Sequence, residues 1–404
     1  MLWRELNSIE KRMCCFAVIL FFHIIRNISF NIYATLFVTI LFILSLGLYK
    51  DKGKIYFKNN SEVLFIVTLS LIPLITIATP ISFKEYIIAV QRYCVVYAYV
   101  IFVLLYRKNL SNKFVEKILK IYVIFMFFSA LSILYQIEFG AISFFAASSE
   151  REGLERFASL SGSLTVFGTA GAFGIVILLW EKKLFEYKQR MILFIFILLG
   201  LAATLQKAAI VNVLLVLFLY LIWYLNNKNN NSCRKILNLV FILFAIGGGG
   251  YIYENCFHGM EIINYVEKTI DYTFVTSDGQ YSTSGDLLER LFNKAKVVIE
   301  FHDISVINFI FGYGFLIIAG TFGLPEYPMC HNQFFEMLMS GGVIYLTAFL
   351  AMVYSYLIER RDAFTVVFVF LYVVNMLIGA ASFYQPIIGV LFFTVVLLKK
   401  DKHE

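Results

Sequence analysis

Long apolar runs separated by short polar connections dominate the pattern of this chain. A helix needs about 20 mostly apolar residues to cross the hydrocarbon core of a bilayer. Twelve runs approach that length, over residues 13 to 26, 32 to 49, 63 to 79, 86 to 106, 119 to 136, 164 to 180, 191 to 205, 208 to 225, 236 to 253, 336 to 358, 363 to 380 and 386 to 398. They predict an all-α polytopic membrane protein of about twelve transmembrane helices, one integral membrane domain over residues 1 to 404. The first twelve residues lack the small-residue cleavage site of a removable signal peptide, so the first run is expected to stay as an anchor.

Two connections are much longer than the few residues that usually join helices. One covers 137 to 163, ahead of the sixth run, and the other covers 254 to 335. The second is the one long segment too polar for a bilayer, and its size marks it as the place to look for chemistry. Within it, Asp286 to Glu300 sets Leu288, Leu291, Phe292, Ala295 and Val298 at helical spacing, with Arg290 and Lys294 one turn apart elsewhere on the surface. That pattern predicts an amphipathic helix lying on the membrane. Ile304 to Ala319 is apolar but short for a crossing and contains Gly312 and Gly314, so it is read as a re-entrant or interfacial segment packed on the bundle.

Composition supports the same class: 60% of the 404 residues are hydrophobic, 18% aromatic and 15% charged, with mean hydropathy +0.79. This is too apolar for a soluble fold. The net charge of +7 would suit a nucleic acid only if it were gathered, and instead the charges flank the runs, so no nucleic-acid partner is expected. Lys and Arg concentrate in short cytoplasmic loops. With both termini cytoplasmic, the pieces 1 to 12, 50 to 61, 107 to 120, 181 to 190, 226 to 235, 359 to 362 and 399 to 404 hold 24 of the 34 Lys and Arg. The loop 254 to 335 then faces outward. A thirteenth crossing through Ile304 to Ala319 would put Arg360, Arg361, Lys399, Lys400 and Lys402 outside, against that rule. Cys256 and Cys330 lie near the ends of the large loop, and a bridge between them would fasten its base in an oxidising compartment. Two free thiols are the alternative, because sequence spacing does not give the Cα separation a disulfide requires.

Candidate chemistry begins with the basic residues left outside the cytoplasmic pieces. Arg156 enters a small-residue run, Ala158 to Ser163, that would let a bulky ligand approach the backbone; pairing with Glu152 at helical spacing is the plainer reading. Lys207 lies in the short Gln206-Lys207 connection, and Arg92 about two turns into the fourth run, where an arginine faces a polar cavity or pairs within the bundle. His331, just ahead of the tenth run, can exchange a proton near neutral pH. No second histidine or carboxylate stands at metal-ligand spacing, since His258 and His302 are isolated, and there is no phosphate-binding loop, dinucleotide fingerprint or nucleophile elbow.

Four features together resemble the bacterial O-antigen polymerase and O-antigen ligase family of membrane glycosyltransferases. They are Arg156 to Gly162 before a span; Lys207 at the next helical hairpin; Arg290 with the later turn Phe311-Gly312-Tyr313-Gly314-Phe315; and His331-Asn332-Gln333-Phe334-Phe335-Glu336 leading to Gly341-Gly342. The Pro-Asn that often follows the arginine and glycine is replaced here by Leu164-Thr165-Val166-Phe167, and Gln206-Lys207 stands where many relatives have serine and arginine. The resemblance implies a glycosyltransferase of the cell inner membrane acting in lipopolysaccharide or other surface polysaccharide biosynthesis. Its donor and acceptor would be undecaprenyl-diphosphate-linked oligosaccharides in membrane lipid, with no metal or other cofactor and room for a chain-length regulator. Arg156, Lys207, Arg290 and more weakly Arg92 would hold the diphosphate, His331 would position or deprotonate the attacking hydroxyl, and Asn332 would orient the sugar or the histidine. A repeat-unit polymerase is the leading expectation. A ligase onto lipid A core is its near rival, and a lipid-linked oligosaccharide flippase is the rival from another class.

Overall fold

The computed structural model describes residues 5–22, 24–51, 55–77, 83–145, 148–151, 154–162, 165–204, 206–226, 305–314, 332–360, 362–377 and 384–399. These residues are mostly helical. The helices are α1 (Ser8–Phe21), α2 (Ile25–Ile28), α3 (Phe30–Asp51), α4 (Asn60–Ile77), α5 (Phe83–Tyr106), α6 (Asn112–Phe139), α7 (Val166–Trp180), α8 (Tyr187–Ala202), α9 (Lys207–Asn226), α10 (Val306–Phe311), α11 (Gln333–Glu359), α12 (Ala363–Leu377) and α13 (Pro386–Leu398). A hairpin of β1 (Ser149–Arg151) and β2 (Leu154–Arg156) lies between α6 and α7. Eleven of the twelve apolar runs fall on helices, and the run 236 to 253 lies outside the described residues. Among the described residues, five helices are long and apolar enough to cross a membrane: Phe30–Gly47, Asn60–Ile77, Asn112–Phe139, Ala208–Leu225 and Gln333–Glu359. Three shorter apolar helices, Val166–Trp180, Ala363–Leu377 and Pro386–Leu398, accompany them.

Local chemistry shifts some predicted boundaries. The first helix starts at Ser8, ahead of the apolar run, because Asn7 and Glu10 form a capping box: the Glu10 N–H donates to Asn7 Oδ1 at 2.8 Å, and the Asn7 N–H donates to the Glu10 carboxylate at 2.9 Å. It ends at Phe21, short of residue 26. Lys207 is the first residue of α9 and not part of the connection. Leu154–Arg156 is a strand whose Arg156 pairs across from Ser149, and Glu152, the local partner that the sequence offered it, lies outside the described residues.

The chain divides into two compact units, Met1–Tyr122 with Ser277–Glu404, and Val123–Thr276. In the first, α11 packs against α4, α10, α12 and α13. Phe65 of α4 stacks on its Tyr345 with centroids 5.8 Å apart and packs on its Phe349 at 5.7 Å, while Tyr372 of α12 stacks on Phe392 of α13 at 4.1 Å. Charged groups collect at one end of this unit. Arg107 donates to both oxygens of buried Glu62 at 2.8 and 2.9 Å, to the Tyr356 hydroxyl at 2.5 Å and to the Leu397 carbonyl at 2.8 Å. Arg360 donates to the carbonyls of Val395 and Val396, both at 2.9 Å, answering the last acceptors of α13. Glu10 accepts from Ser111, Lys58 pairs with Glu359 at 2.6 Å, and Lys399 pairs with Asp362 at 2.9 Å. Burial acts to raise the Asp362 carboxyl, but Lys399 and Thr365 outweigh it and hold the group below the usual carboxylate range. Five of the seven pieces read as cytoplasmic therefore meet at one end: 1 to 12, 50 to 61, 107 to 120, 359 to 362 and 399 to 404.

In the second unit α7 is buried at all but one of its residues, and α8 and α9 pack against it. Small residues make the close approach possible: Gly171 lies against Leu201, and Gly200 against Ala130 and Phe167. Gln136 of α6 donates to the Ala158 carbonyl at 2.8 Å, and Ser132 accepts from the Leu160 N–H at 3.2 Å, fixing the segment that follows β2.

Glu62 has a side-chain exposure of 1% and Arg107 of 12%, so truncating the arginine leaves a buried carboxylate without its counter-charge. Arg107→Ala is expected to cost about 3–5 kcal/mol. Thermal unfolding in detergent checks this, with Glu62→Gln combined with Arg107→Met losing less.

Candidate functional site

The notable feature of α11 is a break. Gly342 takes φ 70° and ψ −173°, which no helix allows and which L side chains rarely adopt. A continuous helix would satisfy the Met339 and Ser340 carbonyls with the N–H groups of Val343 and Ile344. Here the Tyr313 N–H donates to the Met339 carbonyl at 2.6 Å, and the Gly314 N–H donates to the Ser340 carbonyl at 2.9 Å. The turn 312–314 thus lies along the break as a short strand would.

Glycine is needed on both sides of this contact. A Cβ on Gly312, at φ 80°, would meet the Gly341 N at 2.5 Å, and one on Gly342 would collide with the Ile310 carbonyl. Gly314, at φ 83°, comes so close to Thr76 at the end of α4 that a Cβ would fall 2.5 Å from its hydroxyl. Gly341 leaves room for the Tyr345 ring to fold back over it. Helix α10, which leads into the turn, begins at Ser305, whose hydroxyl accepts from the Asn308 N–H at 3.1 Å. Its Val306, Ile307, Phe309 and Phe311 are exposed, as an interfacial segment requires.

Beside the break lies a set of buried polar side chains. Gln333 and Glu336 stand on the first turns of α11, and Gln333 accepts from the Tyr372 hydroxyl at 3.2 Å. The Tyr345 and Tyr384 hydroxyls share a hydrogen bond of 2.6 Å. Burial pushes the Tyr384 phenol well up, and the Glu336 carboxylate adds to the effect. Buried polar side chains are hydrogen-bonded or they destabilise the fold, so in apolar surroundings such a set marks a site worth testing.

The residues singled out from the sequence divide between the two units. Asn332 caps α11, accepting from the Phe335 N–H at 3.0 Å and donating to the Leu377 carbonyl at 3.0 Å, so its amide joins the start of α11 to the end of α12. Arg92 lies on α5 of the same unit. In the other unit, Arg156 ends β2 with a half-buried side chain, and Lys207 opens α9. Both features lead to the start of α7, where buried Gln206 packs directly on Gly168. His331, Arg290, the predicted amphipathic helix at 286 to 300, and Cys256 and Cys330 lie outside the described residues.

No family model matches the chain, and no curated protein matches it. The case for a site accordingly rests on geometry. Two stretches picked out by motif, the turn Phe311 to Gly314 and the helix leading to Gly341-Gly342, are held backbone to backbone. Reading the sequence missed Gln333, Glu336, Tyr345, Tyr372 and Tyr384 as a set. The available signal was polar residues interrupting apolar runs near one end, and tyrosines hide it because they also serve as ordinary core.

Replacing Gly342 with alanine forces a side chain into the left-handed region and into Ile310. We expect a loss of more than about 2 kcal/mol, the left-handed conformation alone accounting for about 1–2. Thermal melting should show it, and Gly140→Ala serves as the control: Gly140 has φ 88° but open space around it, so it carries the backbone term alone.

Proposed function

We propose that this chain is a metal-independent polymerase that joins undecaprenyl-diphosphate-linked oligosaccharide repeat units into O-antigen or a related surface polysaccharide. In this reading it is a bundle of about twelve spans in the cell inner membrane, with both termini cytoplasmic and the loop 254 to 335 facing outward. The observation that carries the reading is the docking of the glycine turn 312–314 on the break at Gly342. It joins the two motifs whose order and spacing are the most specific part of the family resemblance, at the end of the unit opposite the charged cluster.

The chemistry asked of the site is simple to balance. A hydroxyl oxygen of the acceptor sugar forms a bond to the anomeric carbon of the donor. The bond from that carbon to the phosphate oxygen breaks, and its electron pair leaves with undecaprenyl diphosphate. His331 positions the hydroxyl or takes its proton, help worth typically 10²- to 10⁴-fold. Arg156, Lys207 and Arg290, with Arg92 in support, answer the negative charge that grows on the diphosphate, more strongly in a partly dry site than water would. Asn332 is tied by its cap and its bond to Leu377, and in this role it orients the sugar or the histidine. The large loop is acidic, with four Lys and Arg against ten Asp and Glu, so the anion must be met by a local cluster.

In a strain lacking the protein, wild type should restore polymer and His331→Ala should leave single repeat units at normal protein level. Chain growth by the alanine variant would remove the histidine from the mechanism. Full-length polymer stranded on its lipid carrier in the deletion strain would identify a ligase instead, and repeat units held on the cytoplasmic side would identify a flippase. Arg290→Lys should lose nearly as much activity as Arg290→Ala if the guanidinium binds the diphosphate through two hydrogen bonds. Full activity of the lysine variant would reduce the residue to a point charge.

A further inference from the structure

The connection between α7 and α8, with the end of α9, forms a surface the proposed reaction does not use. Residues 181 to 190 hold Lys182, Lys183, Lys188 and Arg190 against Glu181 and Glu186. Lys182, Lys183 and Lys188 are exposed, whereas Leu184 and Phe185 between them are buried, so the turn is pinned by its apolar pair and its ammonium groups face out. The Lys182 ammonium sits 5.6 Å from the Tyr220 ring and 5.5 Å from the Trp223 ring. Trp180 packs edge-on against Tyr220 at 5.2 Å and lies 6.1 Å from Trp223, and the Arg190 guanidinium stands 5.6 Å from Tyr187, which is 69% exposed.

Immediately beside this layer the exposed surface becomes apolar. Along α8 the outward side chains change within one turn from Tyr187, Lys188 and Gln189 to Met191, Ile192 and Ile195, and α9 exposes Leu214 and Phe218 ahead of its aromatic end, with Ile222 exposed within it. Cations, then tryptophan and tyrosine, then bare aliphatic side chains is the order of headgroup, interface and acyl chain across a bilayer. Packing on the rings holds the Lys182 ammonium in place, which lowers the entropy lost when an anion binds.

We propose that this surface binds an anionic phospholipid, its phosphodiester among Lys182, Lys183 and Lys188 and its acyl chains along the exposed faces of α8 and α9. The inference is independent of the polymerase reading and uses only the second unit. The chain has three tryptophans, Trp3, Trp180 and Trp223, so Trp3→Phe leaves both remaining indoles in this cluster. Purified full-length protein carrying that change would be titrated in detergent with short-chain phosphatidylglycerol, with phosphatidylcholine of the same chain length, and with glycerol phosphate.

A saturable change in tryptophan emission with phosphatidylglycerol alone is expected. Lys182→Gln with Lys183→Gln should raise the midpoint about thirtyfold, at about fivefold for each lysine near an anionic surface. Lys182→Arg with Lys183→Arg should bind like the parent, showing that the site tolerates substitution. Equal responses to phosphatidylcholine or to glycerol phosphate would overturn the proposal, as would an unchanged midpoint in the glutamine pair.

Discussion

A backbone carbonyl that loses its helical donor in apolar surroundings must find another, and the larger unit is arranged around how α11 meets that demand. An unanswered buried carbonyl costs about 1–3 kcal/mol, and two come free at the Gly342 break. The N–H groups of Tyr313 and Gly314 meet both. That single pairing dictates much else. It requires glycine at 312 and 342, because the two backbones approach too closely for side chains there. It brings Gly314 against Thr76 and so ties the turn to the end of α4. It also explains why α10 stops after six residues: the chain past Phe311 is committed to pairing with the break and cannot continue as a helix.

The opposite end of the same unit is held by charge. Glu62 can be buried because Arg107 supplies two hydrogen bonds and a full counter-charge, and Arg107 in turn reaches Tyr356 and Leu397 on two further helices. Arg360 closes the last carbonyls of α13 and lies over the Tyr356 ring at 4.8 Å. Lys58 with Glu359 and Lys399 with Asp362 complete the set of ion pairs there. At the broken end of α11 the polar groups are amides, hydroxyls and one glutamate, an assortment suited to recognising a ligand with many hydroxyls. The contrast between the two ends assigns stability to one and candidate chemistry to the other.

Much of the helical frame was legible because apolar runs and cap residues are local signals. Eleven of twelve runs fall on helices, and the counts of Lys and Arg in short connections anticipated which helix ends gather. The capping box at Asn7 and Glu10 is equally local, yet it extends α1 into a polar turn that hydropathy alone assigns to a connection. Gly312 and Gly314 argued correctly against a helical crossing, but their reason, the approach of Gly341-Gly342 from some thirty residues away, is tertiary. The buried set of Gln333, Glu336, Tyr345, Tyr372 and Tyr384 was not legible for the same cause, since it is assembled from α11, α12 and the segment just ahead of α13 and has no spacing of its own. Arg156 shows the limit of spacing: four residues after Glu152 it fits a helix turn, yet Leu154–Arg156 is a strand of a hairpin.

The distribution of polarity with depth bears on which class of activity the fold favours. A transporter presents polar groups near mid-membrane and exposes them in turn to either side, usually from interrupted helices in both of its halves. In the larger unit many described acids and bases lie toward helix ends, although Arg92 stands at the tenth of the 24 residues of α5, and α13 is apolar and buried, its one polar residue, Thr394, bonded to the Tyr99 hydroxyl at 2.6 Å. In the second unit α7 is buried at all but one residue and carries one polar side chain, Thr169. The break in α11 falls at the tenth of its 27 residues, beside Thr76 at the last turn of α4, and is filled by the turn 312–314. In the proposed reading, a break that is filled and has buried polar side chains beside it serves chemistry on a lipid-linked substrate better than passage along an open path.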